Sequence, residues 1–219
     1  MEKFNASYVG LRNELIGHMK GTQLNVLDIG CATGVNGRFL LDNKIAKNII
    51  GVEFDHDMAN LASQFYNKVY VGDLNSEQFI ELILDCNLTF DYIIYGDILE
   101  HLINPAKVLE QLNKLLNREG KIIISVPNIS HIELFIQVYV KGTWPKNERG
   151  IFDKTHLSWF TRKDIIDLVK RAGFNNVKYY RKYRSRDAIG SKFNFYTKVL
   201  KKINKDWVTF QHILICSND

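Results

Sequence analysis

With 219 residues, 46% of them apolar and 24% charged, the chain is long enough for a full hydrophobic core, and its composition excludes a disordered, collagenous or disulfide-stapled protein. It contains no run of 18 apolar residues and opens on MEKFNASYVGLRNELIG rather than a basic-then-apolar leader, so neither a transmembrane helix nor a signal peptide is expected and a cytoplasmic location is. The net charge of +5 is uneven: ten Lys/Arg and one acid lie between Lys178 and Lys205, against 19 basic and 23 acidic residues elsewhere. Cys31, Cys86 and Cys216 are too far apart for a metal-ligand spacing; they point to a reducing compartment, and no metal site is expected.

In chain order, residues 4–19 read as a leading helix, and NVLDIG places a first strand over 25–30 with a helix near 36–43. NIIGVE gives a second strand over 48–53, after which Asp57 is placed to cap a helix over 58–66. KVYVGD gives a third strand over 68–73, with a helix near 76–85, and FDYIIYG a fourth over 90–96. Pro105 suits the first turn of a helix running to about 116, and the fifth strand, GKIIISVP, must stop at Pro127. The alternation then breaks: residues 128–160 read as a lid insertion with an apolar helical piece. Thr161 caps a helix over 162–172 closed by Gly173, and strands near 176–183 and 207–216 flank a basic helical insertion over about 184–205. Alternating strands and helices predict βαβ units around a mostly parallel α/β sheet with helices on both faces, in one domain over 1–219.

The turn after the first strand carries the ligand signal. Asp28 ends the strand, and Gly30, Cys31, Ala32 and Gly34 form a loop in which glycine permits positive φ and close approach to a bound group. Cys31 is read as a small filler. The spacing is neither the dinucleotide G-x-G-x-x-G nor a phosphate loop ending in Gly-Lys. It resembles the D/E-x-G-x-G-x-G motif of class I S-adenosylmethionine (SAM) dependent methyltransferases, with Ala32 in place of the middle glycine. A methyl group there is tolerable if φ is negative.

That resemblance covers residues 25–127 by motif and 150–216 more loosely. It implies a Rossmann-like seven-stranded sheet with an antiparallel last strand, and SAM as cofactor, S-adenosylhomocysteine (SAH) being the product. Asp28 would orient the SAM ammonium group, and Glu53, ending the second strand, would accept hydrogen bonds from the ribose hydroxyls. Asp73 and Leu74 would meet the adenine edge, with Phe54 and Met58 as its apolar wall. An acid about 20 residues after the loop also suits NAD, but acids at three successive strand ends favour SAM. YGDILEHLINP resembles a methyltransferase motif IV of the D-x-L-E-H group: Tyr95 and Gly96 would place backbone near the methionine arm and Asp97 would stand at the crevice mouth. The NPPY-type motif of amino-methylating nucleic-acid enzymes is absent, which argues against a nucleic-acid acceptor.

Methyl transfer to a hydroxyl gains from a base, for which His suits neutral pH. His156, in GIFDKTHLSWF, resembles the D-x-T-H-x-x-x-F segment of small-molecule and glycan methyltransferases and is the first candidate, with Asp153 to orient it. His101 is the second candidate. Trp144 and Arg149, in the insertion, and Tyr8, in the leading helix, are candidate substrate contacts. The expected activity is O-methylation of a small molecule or sugar. An anionic nucleotide sugar or glycan intermediate would suit the basic block, which could equally attract phosphate, a polyanion or an anionic membrane. The alternatives are an RNA or protein methyltransferase and a SAM-binding protein without catalysis.

Overall fold

The computed structural model describes residues 10–188, 191 and 194–218. Tyr8 and the start of the expected leading helix lie outside the described residues; within them that helix is α1, Asn13–Ile16. The strands are β1 (Leu24–Ile29), β2 (Ala46–Glu53), β3 (Lys68–Val71), β4 (Phe90–Gly96), β5 (Leu116–Pro127), β6 (Asn176–Tyr183) and β7 (Thr209–Ser217). They form one sheet in the order β3-β2-β1-β4-β5-β7-β6. β1 to β5 pair in parallel, and β7 runs antiparallel to both β5 and β6. Strand order reverses between β1 and β4, and ligands of such sheets sit at the carboxyl ends of the strands flanking that point.

Both faces of the central strands are buried, which is why they read as continuous apolar runs. Leu27, Ile29, Ile93, Tyr95, Ile122 and Ile124 face one core, against α4 (Glu77–Leu84), α5 (Pro105–Leu112) and α7 (Arg162–Arg171). Val26, Ile49, Ile94, Ile123 and Ile213 face the other, with Leu15 and Ile16 of α1 and Leu40 of α2 (Val35–Asp42). β6 is one edge strand; burial alternates over Asn176–Tyr180, and Arg181 to Tyr183 are all partly covered, as the Lys and Arg content of an edge suits.

Helix ends follow local chemistry. Asn104 caps α5 by accepting from Lys107 N–H at 3.1 Å, ahead of Pro105. Thr161 and Asp164 form a reciprocal capping box at α7. The cap of α3 (His56–Ala62) differs from the expectation: Asp55, not Asp57, accepts from the N–H groups of Asp57 and Met58, each at 2.9 Å. Asp55 holds the extended backbone a cap requires (φ −82°, ψ 122°), and Asp57 is already in the first turn. α5 ends at Leu112, a 3₁₀ turn covers Asn113–Leu115, and β5 starts early because Leu116 pairs with Phe90 of β4. The helical piece of the insertion is a short turn, α6 (Ile132–Leu134), continuing as π-helix over Phe135–Val140. The expected basic helix is α8, Phe195–Ile203.

Candidate active site

A cavity of about 750 Å³ opens at the carboxyl ends of the strands. Asp28, Glu53 and Asp73, at the ends of β1, β2 and β3, all line it, with Gly30, Cys31 and Ala32 from the loop. Glu53 ties two strand ends together. One carboxylate oxygen accepts from Ala32 N–H at 2.8 Å; the other accepts from Phe54 and Asp55 N–H at 2.9 and 3.0 Å. Each oxygen keeps acceptor capacity toward the cavity. Asp73 forms an Asx turn with Asn75 (2.9 Å) that fixes its carboxylate. Phe54, Met58 and Leu74 supply apolar wall beside these acids.

Asp28 is buried, and that burial lifts its carboxyl to about 6 against the opposing pull of a hydrogen bond from Tyr66. The Tyr66 hydroxyl donates to Asp28 at 2.7 Å and accepts from Gly37 N–H at 3.1 Å. The loop backbone departs from expectation at Ala32, where φ is +47°. This is the left-handed region, and the N–H bond to Glu53 holds the residue there. A side chain in that region is strained by about 1–2 kcal/mol.

Gly96 and Asp97, after β4, line the next part of the cavity. Asp97 also adopts positive φ, +59°. Its carboxylate accepts from Arg12 at 2.9 Å, Ser125 at 2.5 Å and Gln211 at 2.8 Å. Arg12 also bonds Glu14 at 2.8 Å, and Glu14 takes Lys182 at 2.7 Å. Burial opposes ionisation of Glu14, but the Lys182 and Arg12 bonds hold its carboxyl down at about 2. This chain of ion pairs fastens the segment before β1 across the sheet to β6.

Beyond Asp97, a 3₁₀ turn over Leu99–His101 presents Glu100 and His101, and the insertion brings His156. One ligand atom from each of the three lies within 4.8 Å of the others. The imidazoles meet edge-on, with ring centroids 4.9 Å apart. Two backbone bonds make the approach: Leu157 and Ser158 donate to the Glu100 carbonyl at 2.8 and 3.0 Å. The Thr155 hydroxyl donates to Asp153 at 2.6 Å and lies 3.1 Å from His101 Nδ1. His156 bonds the Ile151 carbonyl; burial first, and then the facing His101, push its imidazole down to about 4. Glu100 is fully buried, and neither carboxylate oxygen has a hydrogen-bond partner among the described residues. Burial, followed by the negative field of Asp97, raises it well above the carboxylate range. A glutamate, two imidazoles and a cavity make a set of donors suited to a divalent cation, which the sequence reading did not foresee.

Three expected contacts do not line the cavity. Gly34 (φ +81°) turns the chain into α2, and a Cβ there would lie 2.9 Å from the Ala62 Cα of α3. Its role is close packing of two helices. The Tyr95 side chain points into the core, where it is fully buried. Trp144 packs edge-on against Phe152 and Trp159, with centroids 5.2 and 5.9 Å away. Arg149 does line the cavity, as do His101, Asp153 and His156. The residues missed are Arg12, Tyr66, Glu100, Thr155, Arg184 and Phe210. Of these, Glu100 carried a signal inside D-x-L-E-H, and Arg184 only as one member of the basic block.

The model of a methyltransferase-domain family matches residues 5–179. The chain is 29% identical over 152 residues to the uncharacterized protein MJ1123 of Methanocaldococcus jannaschii, covering 69% of this chain and 65% of that one. It is 28% identical over 153 residues to a mitochondrial ubiquinone biosynthesis O-methyltransferase of Saccharomyces cerevisiae, covering 64% and 48%. The chain thus spans about half to two thirds of the length of these relatives. A Glaesserella parasuis ubiquinone biosynthesis O-methyltransferase is 25% identical over 88% of this chain and 78% of its own. The fold matches the plantazolicin methyltransferase BpumL, solved with SAH, at a TM-score of 0.58 and 20% identity, covering 93% and 79%. With acids at three strand ends around one cavity, the chain belongs to the methyltransferase-domain family.

Proposed function

We propose that this enzyme methylates an oxygen of a small-molecule or sugar acceptor, acting from the cytoplasm. Asp28, Glu53 and Asp73 hold SAM by its ammonium, ribose and adenine, and the loop over Gly30–Ala32 lies along the methionine arm. Glu100, His101 and His156 then act on the acceptor oxygen. The observation that carries this reading is the convergence of those three side chains within 4.8 Å, beside Asp97. The ubiquinone biosynthesis O-methyltransferases among the relatives agree with an oxygen acceptor.

The chemistry asks for alignment of acceptor oxygen, methyl carbon and sulfonium sulfur, and for removal of the acceptor proton. An imidazole held near 4 is a weak base at neutral pH but keeps a free lone pair for a cation. We therefore assign the trio to a divalent cation that would bind the acceptor oxygen and lower its pKa. Asp153 positions His101 through Thr155. In the second reading, His156 takes the proton directly.

SAH release measured across catechols, phenols and nucleotide sugars tests both. After chelation turnover should collapse and return with Mn²⁺, and Glu100→Gln should lose that recovery while keeping SAM affinity. Full turnover after chelation, with loss only in His156→Ala, would instead support direct proton transfer.

A further inference from the structure

The half of the cavity beyond Glu100 has a different electrostatic character from the cofactor half. Its floor is the β5–β7 end, at Pro127 and Phe210. Two arginines close it: Arg149 from the insertion and Arg184 from the segment after β6. The Arg184 guanidinium carbon lies 4.0 Å above the centre of the Phe210 ring. That stacking fixes the plane of the fork and leaves its N–H edges free to donate.

Most buried cations elsewhere in the protein are matched. Arg12 and Arg181 grip Asp97 and Asp206, Lys182 grips Glu14, and even the exposed Arg186 is held by Glu133. Among the described residues, neither Arg149 nor Arg184 donates a side-chain hydrogen bond or forms an ion pair. They also feel each other: burial first, and Arg149 as a like charge, lower the Arg184 guanidinium, with only Asp187 opposing. Asp187 is a poor counter-ion for two arginines. One of its oxygens accepts from Ile151 N–H at 2.9 Å, and its own burial raises its pKa. Two half-buried cations held together beside one compromised acid leave a positive hollow in a low-dielectric wall. Such a hollow favours an anion that takes two forks at once.

We infer that Arg149 and Arg184 form a clamp for an anionic substituent, a carboxylate or a phosphate, on the methyl acceptor. This deepens the proposed function and rests on its placement of the acceptor oxygen at Glu100 and the histidines. The acceptor is then a compact molecule with a hydroxyl at one end and an anion at the other. It lies along the line from β4 to β7, with SAM over β1 to β3. The basic block thereby divides into two parts. Arg184 faces the site, whereas Lys198, Lys201 and Lys202 of α8 do not line the cavity.

Calorimetric titration with benzoate, phenyl phosphate and neutral phenol, on SAH-saturated and on free protein, tests the clamp. At least one anion should bind saturably and at least about tenfold more tightly than phenol, the gain of a charge-assisted hydrogen bond. The tighter of the two identifies the anion. Arg149→Gln and Arg184→Gln should each weaken that anion by about tenfold, and the double variant should lose the preference over phenol. Lys202→Gln should change nothing, and SAH affinity should stay constant throughout. Equal binding of anions and phenol by the wild type overturns the clamp, as does full anion affinity in a double variant whose melting matches the wild type. Absence of SAH binding, with arginine-dependent anion binding retained, would sink the cofactor reading while leaving the clamp standing.

Discussion

The Tyr66 hydroxyl donates to Asp28 at 2.7 Å inside the fold, where both residues are buried. The pair sets the charge state at the end of β1. Burial raises Asp28 to about 6, and the Tyr66 bond limits that rise.

SAM affinity should therefore fall with acidification. An ammonium ligand needs the carboxylate, so the dissociation constant should climb by up to about tenfold per pH unit below 6. In Tyr66→Phe the fall should begin at higher pH, because the bond that favours the ionised form is gone. A profile flat from pH 8 to 5 would remove Asp28 from ammonium binding.

The same shift predicts a stability signature. The folded pKa of about 6 lies above the ordinary 3.8, so the folded state takes up the proton more readily. The stabilisation from that proton is complete below about 4 and lost as pH rises through 6. At pH 8 the ligand-free protein carries a buried carboxylate, and Asp28→Asn should raise its unfolding free energy by about 1–3 kcal/mol while weakening SAM. Denaturant unfolding at pH 8 and pH 5 checks this: the gain should shrink at the lower pH.

Ala32 offers a second stability test. Glycine at φ +47° relieves strain of about 1–2 kcal/mol and returns part of it as unfolded-chain entropy. Ala32→Gly should thus leave the protein between about 0 and 1 kcal/mol more stable. A clear loss in thermal unfolding would contradict the left-handed backbone.

Gly34→Ala should do the reverse. The new methyl would sit 2.9 Å from the Ala62 Cα at φ +81°, and a loss of about 2 kcal/mol or more is expected from strain and overpacking together. Thermal melting of the ligand-free protein should show it. A loss of SAM affinity with unchanged melting would instead place Gly34 against the cofactor.

Much of this arrangement was legible because it is local. The strands reading VLDI, GVE and YVGD are apolar runs that end in an acid, and parallel pairing lines those ends up on one rim. The insertion was recognised by its broken rhythm, but not where it folds back. His156 lies 55 positions after His101, and the N–H bonds from Leu157 and Ser158 to the Glu100 carbonyl, with the Thr155–His101 contact, bring them together. No periodicity encodes such a tether. The cap of α3 was ambiguous for a simpler reason: Asp55 and Asp57 both suit a first turn, and backbone φ/ψ decides between them. Tyr66 carried no signal, because an apolar helix-end tyrosine reads as core until its hydroxyl is seen against Asp28.

The most direct test is a calorimetric titration of SAM into wild type, Glu53→Gln and Asp73→Asn at pH 7.5. One-to-one saturable binding by the wild type is expected, with each variant weaker by about tenfold or more, the worth of one charge-assisted hydrogen bond, and with melting within a few degrees of wild type. No binding by the wild type, or equal affinity in all three, would contradict a cofactor site at the ends of β1, β2 and β3.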